Sequence, residues 1–128
     1  MILDSSAVVA IVLGEPEAES FLLAIEQAET VAISAATFVQ LGIVLSHRLQ
    51  KPMQDDLEFL FMKLGVAVLA FTDDHRREAL EAWWRFGKSR HAAALHFGDC
   101  VSYATAKISG DALLFKGDDF SKTDIERP

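Results

Sequence analysis

Met1-Ile2-Leu3-Asp4-Ser5-Ser6-Ala7-Val8-Val9-Ala10 opens the chain. Ile2 and Leu3 read as a short buried strand, and Asp4 stands where that strand ends. Ser5 and Ser6 are suited to cap a helix that begins at about Ala7. A carboxylate at the carboxyl end of an early strand in an α/β sheet sits at the rim where such sheets place ligands. Asp4 is equally a good helix cap in its own right. This stretch alone leaves both readings open.

The rest of the chain supplies the partners of that strand. Residues 30–33, 66–71 and 112–115 read as further strands. The run 66–71 is continuously apolar, the pattern of a strand covered on both faces. Helical stretches lie between them. Residues 7–13 form a short apolar helix ending near Gly14. Glu15-Pro16-Glu17 opens a second helix, with Pro16 in its first turn, acids at the positive end of the dipole, and Phe21, Leu22 and Ile25 as a buried stripe. Ser34 caps a long helix over 35–49, on which Phe38, Leu41, Leu45 and Leu49 recur at helical spacing as core residues. Pro52 opens the next helix, with Leu57, Leu60, Phe61 and Leu64 on its apolar side. Thr72-Asp73-Asp74 starts a polar-faced helix carrying Leu80, Trp83, Trp84 and Phe86. Residues 87–94 read as a loop, and Gly98-Asp99 begins a helix to about Ile108. Residues 116–120 form a turn, and the polar tail carries little signal. Strands alternating with helices, without hairpin signals, predict an α/β fold: a central, mostly parallel sheet flanked by helices in three layers.

The composition bounds the class. The chain has 128 residues, enough for one domain (1–128) with a sizeable core, and 51% of them are hydrophobic. No apolar run approaches a membrane span, and the N-terminus lacks the basic region and cleavage site of a secretory signal. The single cysteine, Cys100, excludes an internal disulfide framework. These features lead us to expect a cytoplasmic protein. A net charge of −7 argues against broad electrostatic capture of nucleic acid. It is compatible with a nuclease, whose catalytic carboxylates contribute to that count, with a metal site, and with a basic partner.

Three acidic positions stand out. Asp4 follows the first strand, Asp99 lies at the start of a helix behind Phe97-Gly98, and Asp118 and Asp119 follow the last strand. A parallel sheet can bring all three regions to one end. Converging carboxylates repel one another and need protons or a cation. Hard ions such as Mg²⁺ or Mn²⁺ take such oxygen ligands, and a bound ion can activate water and neutralise charge on a phosphate. A phosphotransfer enzyme with Asp4 as nucleophile is a further reading. The haloacid-dehalogenase pattern speaks against it, because it needs a second Asp two residues on, where this chain has Ser6.

Four segments together resemble the PIN-domain family, of the VapC toxin type: Met1-Ile2-Leu3-Asp4-Ser5-Ser6-Ala7, Ile33-Ser34-Ala35-Ala36-Thr37, Phe97-Gly98-Asp99-Cys100, and Leu113-Leu114-Phe115-Lys116-Gly117-Asp118-Asp119-Phe120 with Thr123-Asp124-Ile125. The resemblance covers nearly the whole chain. It implies a metal-dependent endoribonuclease that acts on single-stranded RNA, uses Mg²⁺ or Mn²⁺, forms a homodimer and is neutralised by a cognate antitoxin. Asp4 and Asp99 match the family's first and third acidic positions. Asp119 is favoured as the fourth, with Asp118 as a second candidate. The second position is normally a Glu, and this chain has Gln40 there. An amide carries no charge and is no base at neutral pH. That departure implies weakened metal affinity and cleavage, and it keeps a second reading open: a catalytically impaired PIN-like module that retains antitoxin binding.

Other residues have two readings each. Arg85, Lys88 and Arg90 form the most basic stretch, as RNA-phosphate contacts or as a solvated loop. Trp83 and Trp84 are either base-stacking groups or are divided between core and partner surface. Cys100 reads as a small core residue, and His47, His75, His91 and His96 lack zinc-ligand spacing. Ser5 or Ser6 caps a helix or holds a metal-bound water.

Overall fold

The computed structural model describes residues 1–128. Its elements are β1 (Ile2–Leu3), α1 (Ser5–Val12), α2 (Ala18–Gln27), β2 (Val31–Ser34), α3 (Ala35–Leu49), α4 (Gln54–Leu64), β3 (Val66–Leu69), α5 (Asp73–Phe86), α6 (Phe97–Ser109) and β4 (Leu113–Leu114), followed by a 3-10 turn, Asp119–Lys122. The strands form one sheet in the order β3-β2-β1-β4, and every pairing is parallel. Alternate side chains of a strand face opposite ways, so each strand feeds two cores. Leu3, Ile33 and Leu114 pack with Val8, Ile25, Leu41, Leu45, Leu57 and Phe61 of α1–α4. Ile2, Leu113 and Phe115 pack with Phe86, Cys100, Tyr103 and Phe120 on the other face. This is the expected three-layer arrangement. No helix is long and apolar enough to cross a membrane.

The strand order positions the site. From β1 the chain moves outward through β2 to β3, then returns to place β4 on the opposite side of β1. The crevice at the carboxyl ends of β1 and β4 is therefore where the order reverses, the place where open parallel sheets bind ligands.

Several local expectations are corrected. The helix after β1 starts at Ser5, and its cap is Asp4, whose carboxylate accepts from the Ser6 N–H; neither serine is the cap. The second helix starts at Ala18, because Glu15 and Glu17 are engaged with Lys116 in the preceding turn. Ser34 does cap α3, which spans Ala35–Leu49, but Leu49 and Leu22 lie on the surface. Pro52 precedes α4, whose cap position is Met53. β3 is an edge strand rather than one covered on both faces: Val68 is 51% exposed. Trp83 and Trp84 are both exposed, 42% and 61%, so neither belongs to the core. The tail is built into the fold. The Leu113 N–H donates to the Glu126 carbonyl, and Asp124 accepts from the Tyr103 hydroxyl (2.6 Å) and the Lys107 ammonium (2.8 Å).

Leu41 is fully buried beneath the site, whereas Ile43 on the same helix is 66% exposed. Leu41→Ala is expected to cost about 2–5 kcal/mol in urea unfolding, and Ile43→Ala to stay within about 0.5 kcal/mol. The Asp124 carboxyl is opposed by burial, yet Lys107 and Tyr103 hold it down at about 2. Its contribution is present above the unfolded carboxylate range near 3.9 and is lost as pH falls toward 2. The stability difference between wild type and Asp124→Asn, followed by denaturation between pH 5 and 2, should therefore shrink with acid.

Candidate active site

Asp4 is 3% exposed. A buried carboxylate needs hydrogen-bond donors, and this one has three bonds. Its Oδ2 accepts from the Ser6 backbone N–H at 3.0 Å and the Ser6 hydroxyl at 2.5 Å. Its Oδ1 accepts from the hydroxyl of Ser102 in α6 at 2.6 Å. Asp4 is thus both helix cap and rim carboxylate. Ser102 escaped the sequence reading. The available signal was its position three residues after Asp99, on the same face of a helix.

Asp99 is the third residue of α6, and its Oδ2 accepts from the His96 backbone N–H at 2.9 Å. Burial pushes its carboxyl above the ordinary value, the His96 N–H pulls it down, and the charges of Asp4 and then Asp119 push it up again. The structure therefore brings Asp4, Asp99 and Asp119 within electrostatic reach of one another. Asp118 is exposed at the start of the 3-10 turn and is not among the charges acting on Asp99. Gln40 joins the group by a close approach: a Cβ on residue 98 would overlap its amide, so Gly98 makes room for it beside Asp99.

No three of these side chains close into a preformed metal cage. The donor set still fits a hard cation that retains several waters, because carboxylate lone pairs remain on Asp4 and Asp99.

The basic candidates lie elsewhere. Arg85 pairs with Asp124 at 3.7 Å and stacks on Phe86. Arg90 donates to the Trp84 carbonyl and lies 3.6 Å over the Trp84 ring. Lys88 points to solvent. None is bonded to the acidic group. A further contact to the group comes from the backbone of Lys116, whose N–H donates to Ser6 Oγ at 3.0 Å, while its ammonium pairs with Glu15 and Glu17. His75 is buried as a capping partner of Thr72. The Cys100 thiol is pushed up to about 11 by burial and by Asp99, which suits an inert core residue.

Asp99→Asn keeps an oxygen for the His96 N–H while removing the repulsion. In chelator, its melting temperature should exceed that of wild type. With Mn²⁺ the order should reverse, since wild type gains about 2.7 kcal/mol at a hundredfold excess over Kd and the variant gains little. Thermal unfolding with and without Mn²⁺ checks both signs.

Residues 1–126 match the PIN domain. Ribonuclease VapC30 of Mycobacterium tuberculosis is 40% identical over 125 residues, covering 98% of this chain and 95% of the relative. Ribonuclease VapC36 of the same organism is 42% identical over 127 residues, covering 98% and 91%. Among solved structures, Mycobacterium tuberculosis VapC20, titled a Sarcin-Ricin loop cleaving toxin, superposes with a TM-score of 0.73 at 21% identity, covering 99% of this chain and 98% of that one. A toxin–antitoxin complex from Klebsiella pneumoniae gives a TM-score of 0.70 at 18% identity, covering 96% and 92%. With its acidic residues gathered at the reversal point of a four-stranded parallel sheet, and these relatives along its whole length, the chain belongs to the PIN-domain family, in its VapC group.

Proposed function

We propose that this protein is an endoribonuclease toxin that hydrolyses single-stranded RNA with the help of a divalent cation. The observation that carries the reading is that the charges of Asp4 and Asp119 both act on the Asp99 carboxyl at the β1/β4 crevice. Asp4, Asp99 and Asp119 would hold Mg²⁺ or Mn²⁺, with Asp118 as an alternate at the exposed start of the turn. When bound, such an ion neutralises phosphate charge and supplies an activated water. The protein's own groups prepare the place. Ser6 and Ser102 fix both oxygens of Asp4, and the His96 N–H fixes one oxygen of Asp99. Gln40 offers an amide to water or to a phosphate oxygen, but takes no proton. Lys88 is the remaining free cation of its loop for an RNA phosphate.

The toxin is held in check by a cognate antitoxin. The net charge of −7 favours a basic amphipathic segment. The exposed apolar residues Trp84, Phe97 and Leu80 leave surface for protein partners, including a second copy of the chain. The proposed setting is the cytoplasm. A second reading, an antitoxin-binding module with impaired cleavage, is favoured by one observation: Gln40 occupies the space beside Gly98 without supplying a charge.

Gln40→Glu separates the two. The fold should be unchanged, because Gln and Glu have similar helix propensities. Cleavage of single-stranded RNA at matched Mn²⁺ occupancy should rise about ten- to a hundredfold, roughly 1–3 kcal/mol of transition-state stabilisation. Asp4→Asn is the inactive control. Equal rates for wild type and Gln40→Glu would leave Asp4, Asp99 and Asp119 as the sufficient set.

A further inference from the structure

Lys116 follows the last sheet residues and precedes the acidic turn. Its ammonium is clasped by Glu15 and lies 3.2 Å from Glu17, both in the turn between α1 and α2. Its backbone N–H donates to Ser6 Oγ at 3.0 Å, and that hydroxyl donates to Asp4 Oδ2 at 2.5 Å. A serine hydroxyl has one proton and rotates freely unless a donor occupies a lone pair. The Lys116 N–H is the donor that aims this proton at Asp4. The next residue, Gly117, has φ +93, and its carbonyl accepts from the Arg127 guanidinium at 2.8 Å, while Leu114 and Phe115 on the other side are buried. The side-chain clasp adds a tie from Lys116 itself to the turn between α1 and α2.

We propose that Lys116 is a positioning residue: its clasp to Glu15 and Glu17 holds the peptide that orients Ser6, and Ser6 in turn orients Asp4 for the cation. This rests on the reading of the acidic group as a divalent-cation site. The chemistry separates it from a plain charge effect by sign. Removing a lysine beside an acidic site makes the local potential more negative and should tighten cation binding. Loss of positioning should loosen it, since groups that orient metal ligands typically affect affinity about ten- to a hundredfold.

The test is Mn²⁺ binding by calorimetry on the full chain. Lys116→Met should bind Mn²⁺ about tenfold more weakly than wild type, and Lys116→Arg should restore most of the affinity. Lys51→Met, which removes an exposed ion pair with Asp56 (3.0 Å), should have no such effect. In a Ser6→Ala background, Lys116→Met should add nothing further, which a merely structural lysine would not produce. Melting temperature in chelator checks that each variant is folded, and Lys116→Gln serves as a second truncation. Unchanged or tighter Mn²⁺ binding in Lys116→Met, or additive losses with Ser6→Ala, overturns the positioning role while leaving the cation site intact. Wild-type protein without Mn²⁺ binding sensitive to Asp99→Asn overturns the cation-site reading itself, and the proposal with it.

Discussion

The molecule is arranged around one buried carboxylate. Asp4 lies at the end of a two-residue strand, almost wholly out of water, and its charge is tolerated because three hydrogen bonds from two serines meet it. An unpartnered carboxylate at that depth would be costly enough to lose its charge. One donor is local, from the first turn of α1. The other comes from α6, 98 residues along the chain. Satisfying this one group therefore ties the first helix to the last long helix across the edge of β1.

The sheet makes that tie possible. β1 is central and contributes to both cores, with Ile2 on one face and Leu3 on the other. Because the strand order reverses beside it, β4 arrives parallel on its open side and brings Lys116 and Asp119 to the same crevice as Asp4. α6 contributes Asp99 and Ser102 from one face of its first turns. The result is a set of carboxylates at one crevice, where burial first, and then the charges of Asp4 and Asp119, raise the Asp99 carboxyl. The ribonuclease proposal follows from that tension: the site holds more negative charge than its own donors neutralise.

Gln40 changes the balance without changing the shape. It sits on α3, one residue before the fully buried Leu41, so its place is set by core packing. Its amide packs against Gly98, the residue before Asp99, in space that a side chain there would fill. The side chain fills that space and carries no charge. On the proposed reading, the residue type at this position bears on the cation and not on the architecture, since packing depends on volume and cation binding on charge.

Hydrophobic periodicity, strand–helix alternation and cap chemistry were local properties. They determined the parallel three-layer fold, the span of α3 with its Ser34 cap, and the acidic candidates Asp4, Asp99 and the pair Asp118 and Asp119, between which the family resemblance favoured Asp119. The end of β1 carried the cap role of Asp4, which the structure shows, together with its place at the rim of the sheet. What the tertiary structure decided was nonlocal. It turned the apolar run at β3 into a half-open edge and brought both tryptophans to the surface. It drew Arg85 to Asp124 and Arg90 to Trp84. It paired Glu15 and Glu17, which lead into α2, with Lys116. Ser102 and Lys116 acquired their roles only when distant segments met, because a hydrogen bond or ion pair between residues about a hundred positions apart leaves no periodicity in either segment.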